Sequence, residues 1–311
     1  MTAPTNTFQT YASIGNREDL SDIIYRIAPT ITPFLNLCSK ATATSTLHEW
    51  QTQDLASAAN NAQIEGDDAA AAAVTPTVRL NNRTQISTKT VIVAGTQRAV
   101  KTAGRKDEMA YQLSLKSLEL KRDMETALTQ NSTLVVGNST TARQTRGREG
   151  WVATNNDLGA GGVAPNYGTN TAATDGTQRA FTEAQLKNVL QLVFAQGGDP
   201  DTILVGPTQK QTFSTFTGGA TRMTEADDKK LTAAVDVYVS DFGTLNVVPS
   251  RFQRARTAFV LQADKWAVAY LRPFQTVDLA KTGDADKKEI IVEYSLEARQ
   301  EKSSGAVRDL L

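Results

Sequence analysis

GRKDEMAYQLSLKSLELKRDMETALTQN, residues 104–131, is the stretch on which the fold turns. Met109, Leu113, Leu120, Met124, Ala127 and Leu128 recur at near-heptad spacing, and Leu115 and Leu118 widen the apolar side. Charges of both signs fill the rest, which is the pattern of one long amphipathic helix. At 1.5 Å per residue it would run roughly 40 Å. A helix this long and this well charged serves as a spine on which other elements lie.

Toward the N-terminus the texture changes. TLHEWQTQDL (46–55) and RTQISTKTVIVAG (83–95) are rich in Thr, Ile and Val and read as strands. Between them runs ASAANNAQIEGDDAAAAAVTPT, small and acidic, whose alanine run is helical by propensity alone. Such a composition cannot bury itself, so the expectation is a long hairpin-like arm projecting from the body. Further out, Asn16 caps a short amphipathic helix with Leu20, Ile23, Ile24 and Ile27 at helical spacing and Pro29 as its stop. Residues 1–17 are polar and read as an arm.

Beyond the spine, residues 132–180 hold few large apolar side chains: Leu134, Val135, Val136, Trp151, Val152, Leu158, Val163 and Tyr167. So long a structureless stretch is uncommon inside a compact domain. It is expected to be disordered, or ordered by something outside its own subunit. A compact α/β unit follows. Thr182 and Gln185 form a capping box, Phe181 is placed to staple onto Leu186, and Leu186, Val189, Leu190, Val193 and Phe194 make the buried stripe. Gly197, Gly198 and Pro200 stop that helix. TILVG is a buried strand, Pro207 opens PTQKQTFSTF as a helix, and VDVYVSD, TLNVVPS, TAFVLQ and KWAVAYL read as strands, the last two joined by a tight turn at 263–265. In KEIIVEYSLEA, Ile290, Val292, Tyr294 and Leu296 alternate with Ile291, Glu293, Ser295 and Glu297, one face buried and the other mostly wet. The class is α+β, with an α/β unit inserted between spine and last strands.

Chemistry is hard to find. Lys+Arg and Asp+Glu balance at 33 each in 311 residues, with 40% hydrophobic residues and no long block of like charge. Binding through phosphates calls for a basic stripe, so direct DNA binding is not the main task. The one histidine, His48, has Thr52 four residues on, where a zinc helix would need a second His, and in a strand His48 and Glu49 point apart. Without G-x-S-x-G, a Ser–His or Cys–His system has no support. GAGGVAPNYG (159–168) lacks the strand and lysine of a phosphate loop, and Asp284 and Asp286 lack the other ligands of a calcium loop. Arg143, Arg146 and Arg148 form the densest basic cluster and read as a solvated loop, or as a contact with phosphates or with a neighbour's acidic patch. Cys38, the single cysteine, sits among apolar residues as a small buried hydrophobe. No catalytic residue, cofactor or metal site is expected. The N-terminus lacks a signal-peptide pattern, and no apolar run approaches the ~18 residues of a membrane span, so a soluble protein is expected.

The stretches ITPFLNL, HEWQTQDL, FTEAQLKNVLQLVFAQGGDPDTILVGPTQKQ, VSDFGTLNVVPSR and YLRPFQTVDLAKTGDADKKEIIVEYSLEARQEKSSGAV run nearly end to end. In that order they resemble the major capsid (head) proteins of tailed bacteriophages with the Hong Kong 97-type fold, in a branch catalogued as a family of unknown function. The last block is the most specific, with its Leu-Arg-Pro turn, Ala-Lys-Thr-Gly-Asp loop and alternating strand. The resemblance implies an N-terminal arm to residue 45, an extended loop over 46–100, and a peripheral domain over 101–181 containing the spine helix. It further implies an axial domain over 182–272 and C-terminal strands, 273–311, returning to the peripheral domain. It implies self-assembly into pentamers and hexamers of an icosahedral shell that encloses double-stranded DNA without sequence-specific binding. Portal, scaffolding and decoration proteins are implied as partners, with scaffolding a separate protein. The location is the virion, after assembly in the host bacterial cytoplasm. The arm would lie over a neighbour's peripheral domain. Its charge over 48–88 is acidic, Glu49, Asp54, Glu65, Asp67 and Asp68 against Arg79 and Arg83, so the neighbour's docking face is expected to be basic or polar. The family's namesake seals its shell with lysine–asparagine links from this loop. Here no lysine lies between 48 and 88, and no such link is expected. Three rivals stand beside this reading: an encapsulin-like nanocompartment shell, a hydrolase with an unrecognised carboxylate site, and a phage decoration or tail-tube protein, which would be a compact β structure without the spine helix.

Overall fold

The computed structural model describes residues 31–66, 68, 71, 73–102, 104, 106–216 and 236–311; the expected helix around Leu20–Ile27 lies outside them. The helices are α1 (Pro33–Leu37), α2 (Gly95–Ala99), α3 (Glu108–Thr129), α4 (Glu183–Ala195) and α5 (Pro207–Phe213). The strands are β1 (Ser39–Thr42), β2 (Leu47–Thr52), β3 (Val78–Arg83), β4 (Gln85–Ala94), β5 (Asn156–Asp157) and β6 (Thr202–Val205). They continue with β7 (Val237–Ser240), β8 (Gly243–Pro249), β9 (Thr257–Leu261), β10 (Trp266–Leu279), β11 (Ala285–Ala298) and β12 (Gly305–Arg308). No helix among the described residues is long and apolar enough to cross a membrane.

The spine is α3. Its start is set by Asp107, whose carboxylate accepts the Met109 N–H at 2.9 Å, a side-chain N-cap. Its 22 residues span about 33 Å, nearly two turns short of the stretch expected from sequence. Met109, Leu120, Met124 and Leu128 are buried as the spacing requires, while Leu113, Leu115, Leu118 and Ala127 are half-buried.

This helix lies on a four-stranded sheet ordered β1-β10-β11-β4, with β1 parallel to β10 and the other pairs antiparallel. Ile290, Val292, Tyr294 and Leu296 of β11 join Leu120, Met124 and Leu128 in one core. The other face of β11 is not wet, as its charges suggested: Glu293, Ser295 and Glu297 are all buried. The hairpin of β2 and β3 and the segment after α3 cover it. Glu293 accepts from Arg143 at 2.7 Å, Arg272 at 2.9 Å and Thr84 at 2.8 Å. Carboxylates with this many donors can be buried. The Leu-Arg-Pro stretch is likewise no turn. It lies within β10, where the register with β11 slips on both sides of Arg272, as Pro273 has no N–H to give the ladder.

Residues 132–180 depart furthest from expectation. They are ordered, and by their own chain. Trp151 is buried, stacked 5.3 Å from Trp50 and 5.6 Å from Tyr167, with the Arg146 guanidinium 4.7 Å from its ring centre. The Asn131 side chain donates to Ala173 O at 2.8 Å and accepts its N–H at 3.0 Å. Polar side chains here satisfy backbone groups that would otherwise need water, which lets a core-poor segment pack.

The α/β unit forms a mixed six-stranded sheet, β5-β12-β9-β6-β8-β7. Leu186, Val189, Leu190 and Val193 of α4 cover one face together with Ile203, Val205, Val247 and Val260. Leu204, Phe259, Leu261 and Ala306 on the other face enter the same core as the spine. Two expected boundaries therefore move. All of β10 belongs to the four-stranded sheet, so the inserted unit ends at the turn 263–265, which carries the chain from one sheet to the other instead of closing a hairpin. The C-terminal strand β12 does not return with β11; it pairs with β9. Phe194, expected in the stripe, is 57% exposed and stacks on Phe242 at 4.8 Å.

Candidate assembly surfaces

The residues weighed for chemistry are placed in structural roles. His48 Nε2 lies 3.0 Å from Glu297, and its ring neighbours Trp50 at 5.6 Å. That contact, followed by Arg299, holds the Glu297 carboxyl below the usual glutamate range. Glu49 points the other way, toward Arg79 at 3.5 Å. Burial pushes the Cys38 thiol well up, which suppresses the reactive thiolate. The glycine loop closes over Asp309, whose carboxylate accepts Gly159 N–H at 3.0 Å and Gly176 N–H at 2.7 Å; a Cβ on Gly159 would meet Thr177 O at 2.3 Å. These contacts are internal, with the cradle filled by the chain's own carboxylate. Asp286 pairs with Arg98 and Lys281, two cations where a calcium loop would hold a metal. Among the described residues no cluster of three or more His, Cys, Asp or Glu is arranged to hold a metal.

The basic cluster is not a solvated loop. Arg146 and Arg148 are buried, and burial pulls both guanidiniums down to about 10, so both remain charged at neutral pH. Arg148 lies between two rings, 4.6 Å from Phe34 and 4.2 Å from Phe259. It also donates to Gln253. Beside it Glu149, fully buried, accepts from Arg254 at 2.8 Å and Thr257 at 3.0 Å, with Arg308 at 3.8 Å. On the spine, buried Glu125 accepts the N–H groups of Phe34 at 2.9 Å and Leu35 at 2.7 Å; burial raises its pKa against these bonds and the Arg148 charge. No local pattern marks this network, because its bonds join distant segments, Glu125 to Phe34 and Leu35 and Glu149 to Arg254 and Thr257, each 90 or more positions apart.

What the arrangement displays is exposed apolar surface. The arm has a fixed root and a free length. Its second strand is β3, not the expected 83–95 run, which is split between β3 and β4 in different sheets. VRLNNR escaped notice because it is polar, yet Leu80 and Asn82 alternate inward. Asn82 is fully buried, donating to Leu296 O at 2.7 Å and Thr145 Oγ1 at 3.0 Å and accepting Arg146 N–H at 2.8 Å. Trp50 Nε1 donates to Ala298 O at 2.8 Å. Beyond this root the described residues of 53–77 form no helix or strand and all are exposed, with Leu55 at 96%, Ile64 at 79% and Val74 at 89%, while most of the alanine run lies outside the described residues. A second display is the sheet edge β7, where Val239 is 74% exposed beside the Phe194–Phe242 pair. A third is the face of β4 turned from the spine, with Ile86, Thr88, Thr90 and Ile92 exposed.

The profile described as SU10 major capsid protein matches residues 3–311. The major capsid protein of Escherichia phage Phieco32 is 28% identical over 345 residues, covering 99% of this chain and 97% of that protein. Among solved structures, a chain of the cyanophage A-1(L) capsid asymmetric unit superposes with a TM-score of 0.67 at 14% identity, over 95% of this chain and 97% of that one. A chain from Gordonia phage Cozz gives 0.62 at 11% identity, over 99% and 98%. The fold is thus that of phage capsid subunits of the Hong Kong 97 type. The chain belongs to the SU10 major capsid protein family. Its work is structural, as a subunit of the capsid shell of a tailed phage, and its place is the virion.

Proposed function

We propose that copies of this chain join as pentamers and hexamers and close into an icosahedral head around double-stranded DNA, with assembly in the host bacterial cytoplasm. The observation that carries this is the arm over 53–77, bolted at its root, with every described residue exposed. Apolar side chains as exposed as Leu55, Ile64 and Val74 on one projecting segment mark a surface made for a partner. In this reading the arm lies over a neighbour's four-stranded sheet, on the row Ile86, Thr88, Thr90 and Ile92, which offers apolar contact and hydroxyls. The spine, the four-stranded sheet and the buried segment after α3 form the peripheral domain, and the six-stranded sheet with α4 and α5 forms the axial domain. The near-zero net charge suits a container that holds DNA by confinement. No catalysis is assigned to the chain. Portal, scaffolding and decoration proteins complete the head as separate chains.

Each contact is of modest strength, and closed symmetry repeats it until the shell is stable. Negative-stain microscopy and sedimentation of the chain expressed alone test the reading. Closed shells or five- and six-fold capsomers are expected, and a monomer that ignores concentration would overturn it.

A further inference from the structure

The ribbon that roots the arm uses its two faces differently. Alternate side chains of an extended strand point opposite ways. Glu49 reaches Arg79 at 3.5 Å, Gln51 accepts from Thr77 Oγ1 at 2.9 Å, and Gln53 donates to Thr75 O at 2.8 Å. These odd-numbered residues tie the outgoing chain to the returning one. His48, Trp50 and Asp54 instead meet the body, and their partners advance in step: Glu297, then Ala298 O, then Gln300 and Lys302. The first two contacts hold the root. Asp54 lies beyond the last strand pair, Thr52 with Val78, and the residue after it, Leu55, is almost fully exposed. Its carboxylate accepts from Gln300 Nε2 at 3.0 Å and pairs with the Lys302 ammonium, which holds the Asp54 carboxyl below its ordinary range.

The body side of this latch is firmly held. Buried Glu301 accepts the N–H groups of Ala153 at 3.1 Å and Thr154 at 3.2 Å. Asn155 Nδ2 donates to Lys302 O at 2.7 Å and to Ser304 O at 3.1 Å. The arm therefore leaves the subunit against a fixed point.

We propose that Asp54 is a positioning residue for assembly, setting through Gln300 and Lys302 the angle at which the arm leaves the body toward the neighbouring copy. This rests on the reading of the arm as the segment that reaches that copy. Leverage makes a small latch matter. Eight residues on, at Ala62, an extended chain has travelled up to about 28 Å, so a change of about 10° at Asp54 moves it by about 5 Å. An exposed ion pair adds little to stability; here it acts as a preference among orientations, about fivefold at the upper end for such pairs. A contact made only from the preferred orientation weakens by the same factor when the preference is lost.

The test compares Asp54→Lys, Lys302→Asp and the exchange of both in the full-length chain. Each single change should raise the concentration at which shells appear in sedimentation about fivefold while leaving Tm within about 2 °C. The exchange should restore the wild-type threshold. Direction is read separately in unassembled subunits. Nitroxide labels on Ala62→Cys, in the arm, and Gln191→Cys, on the exposed side of α4, report their separation by pulsed dipolar spectroscopy in a Cys38→Ala background. The distance distribution should widen by about 5 Å in each single variant and narrow again in the exchange. Unchanged widths overturn the proposal, as does an exchange that recovers neither width nor threshold, or widening with an unaltered threshold. A wild-type chain that never assembles overturns the capsid reading itself, and the label distances then still decide whether Asp54 sets the angle.

Discussion

Deleting residues 56–74 removes most of the arm and leaves its root intact. The connection from Thr52 to Val78 is then six residues long instead of the 25 of 53–77. Loop-closure entropy scales as (3/2)RT ln n, so the shorter connection stabilises the subunit by about 1.3 kcal/mol. No buried contact is lost, because every described residue in the deleted stretch is exposed. Asp54, which pairs with Lys302 and Gln300, and Gln53, which donates to Thr75 O at 2.8 Å, both remain. For a chain of this size the gain corresponds to a rise in Tm of about 2 °C. Assembly should fail all the same, since the segment that reaches the neighbour is gone. The assay is thermal unfolding of the unassembled fraction, paired with microscopy of the same preparation. Shells as abundant as wild type would refute the reasoning about the arm, and a fall in Tm would refute the claim that it is unpacked.

Other outcomes follow from the buried charges and exposed edges. Arg148→Met leaves Glu125 without its nearby buried cation and should destabilise the subunit by about 3 kcal/mol in urea unfolding, with Glu125→Gln in the same chain recovering part of the loss. Glu297 has a depressed pKa, so its contribution is present above the unfolded-chain value near 4.3 and is lost as pH falls through the lower folded value. Stability of the wild type should therefore drop more steeply than that of Glu297→Gln between about pH 5 and pH 3. Val239→Lys, on the exposed edge β7, should leave the unfolding free energy within about 0.5 kcal/mol of wild type while reducing assembly, because a charge there blocks edge pairing. Boiled shells run on a denaturing gel should give monomer alone, the nearest lysine past the arm, Lys89, being paired with Asp123 at 2.7 Å; a ladder of covalent oligomers would refute this.

The readings that held were those a short window contains. The spine's stripe, the α4 start with Thr182 N–H donating to Gln185 at 3.0 Å, the Pro207 helix and the inward face of β11 all follow from local periodicity and capping. The unburiable composition of 53–77 announced an arm without naming its second strand. The family resemblance was legible because it rests on the order of many weak motifs along one chain.

The sequence by itself determined the spine, α4, α5 and the alternating strand β11, and marked 53–77 as unable to make a core. Tertiary structure alone decided what lies on the second face of β11, where β12 pairs, and that 132–180 is solid. Those outcomes depend on partners such as Arg143 with Glu293, 150 positions apart, and Glu125 with Phe34, 91 apart. A buried charge is tolerable only when donors from distant parts of the chain meet it, and no local pattern records where those donors will be.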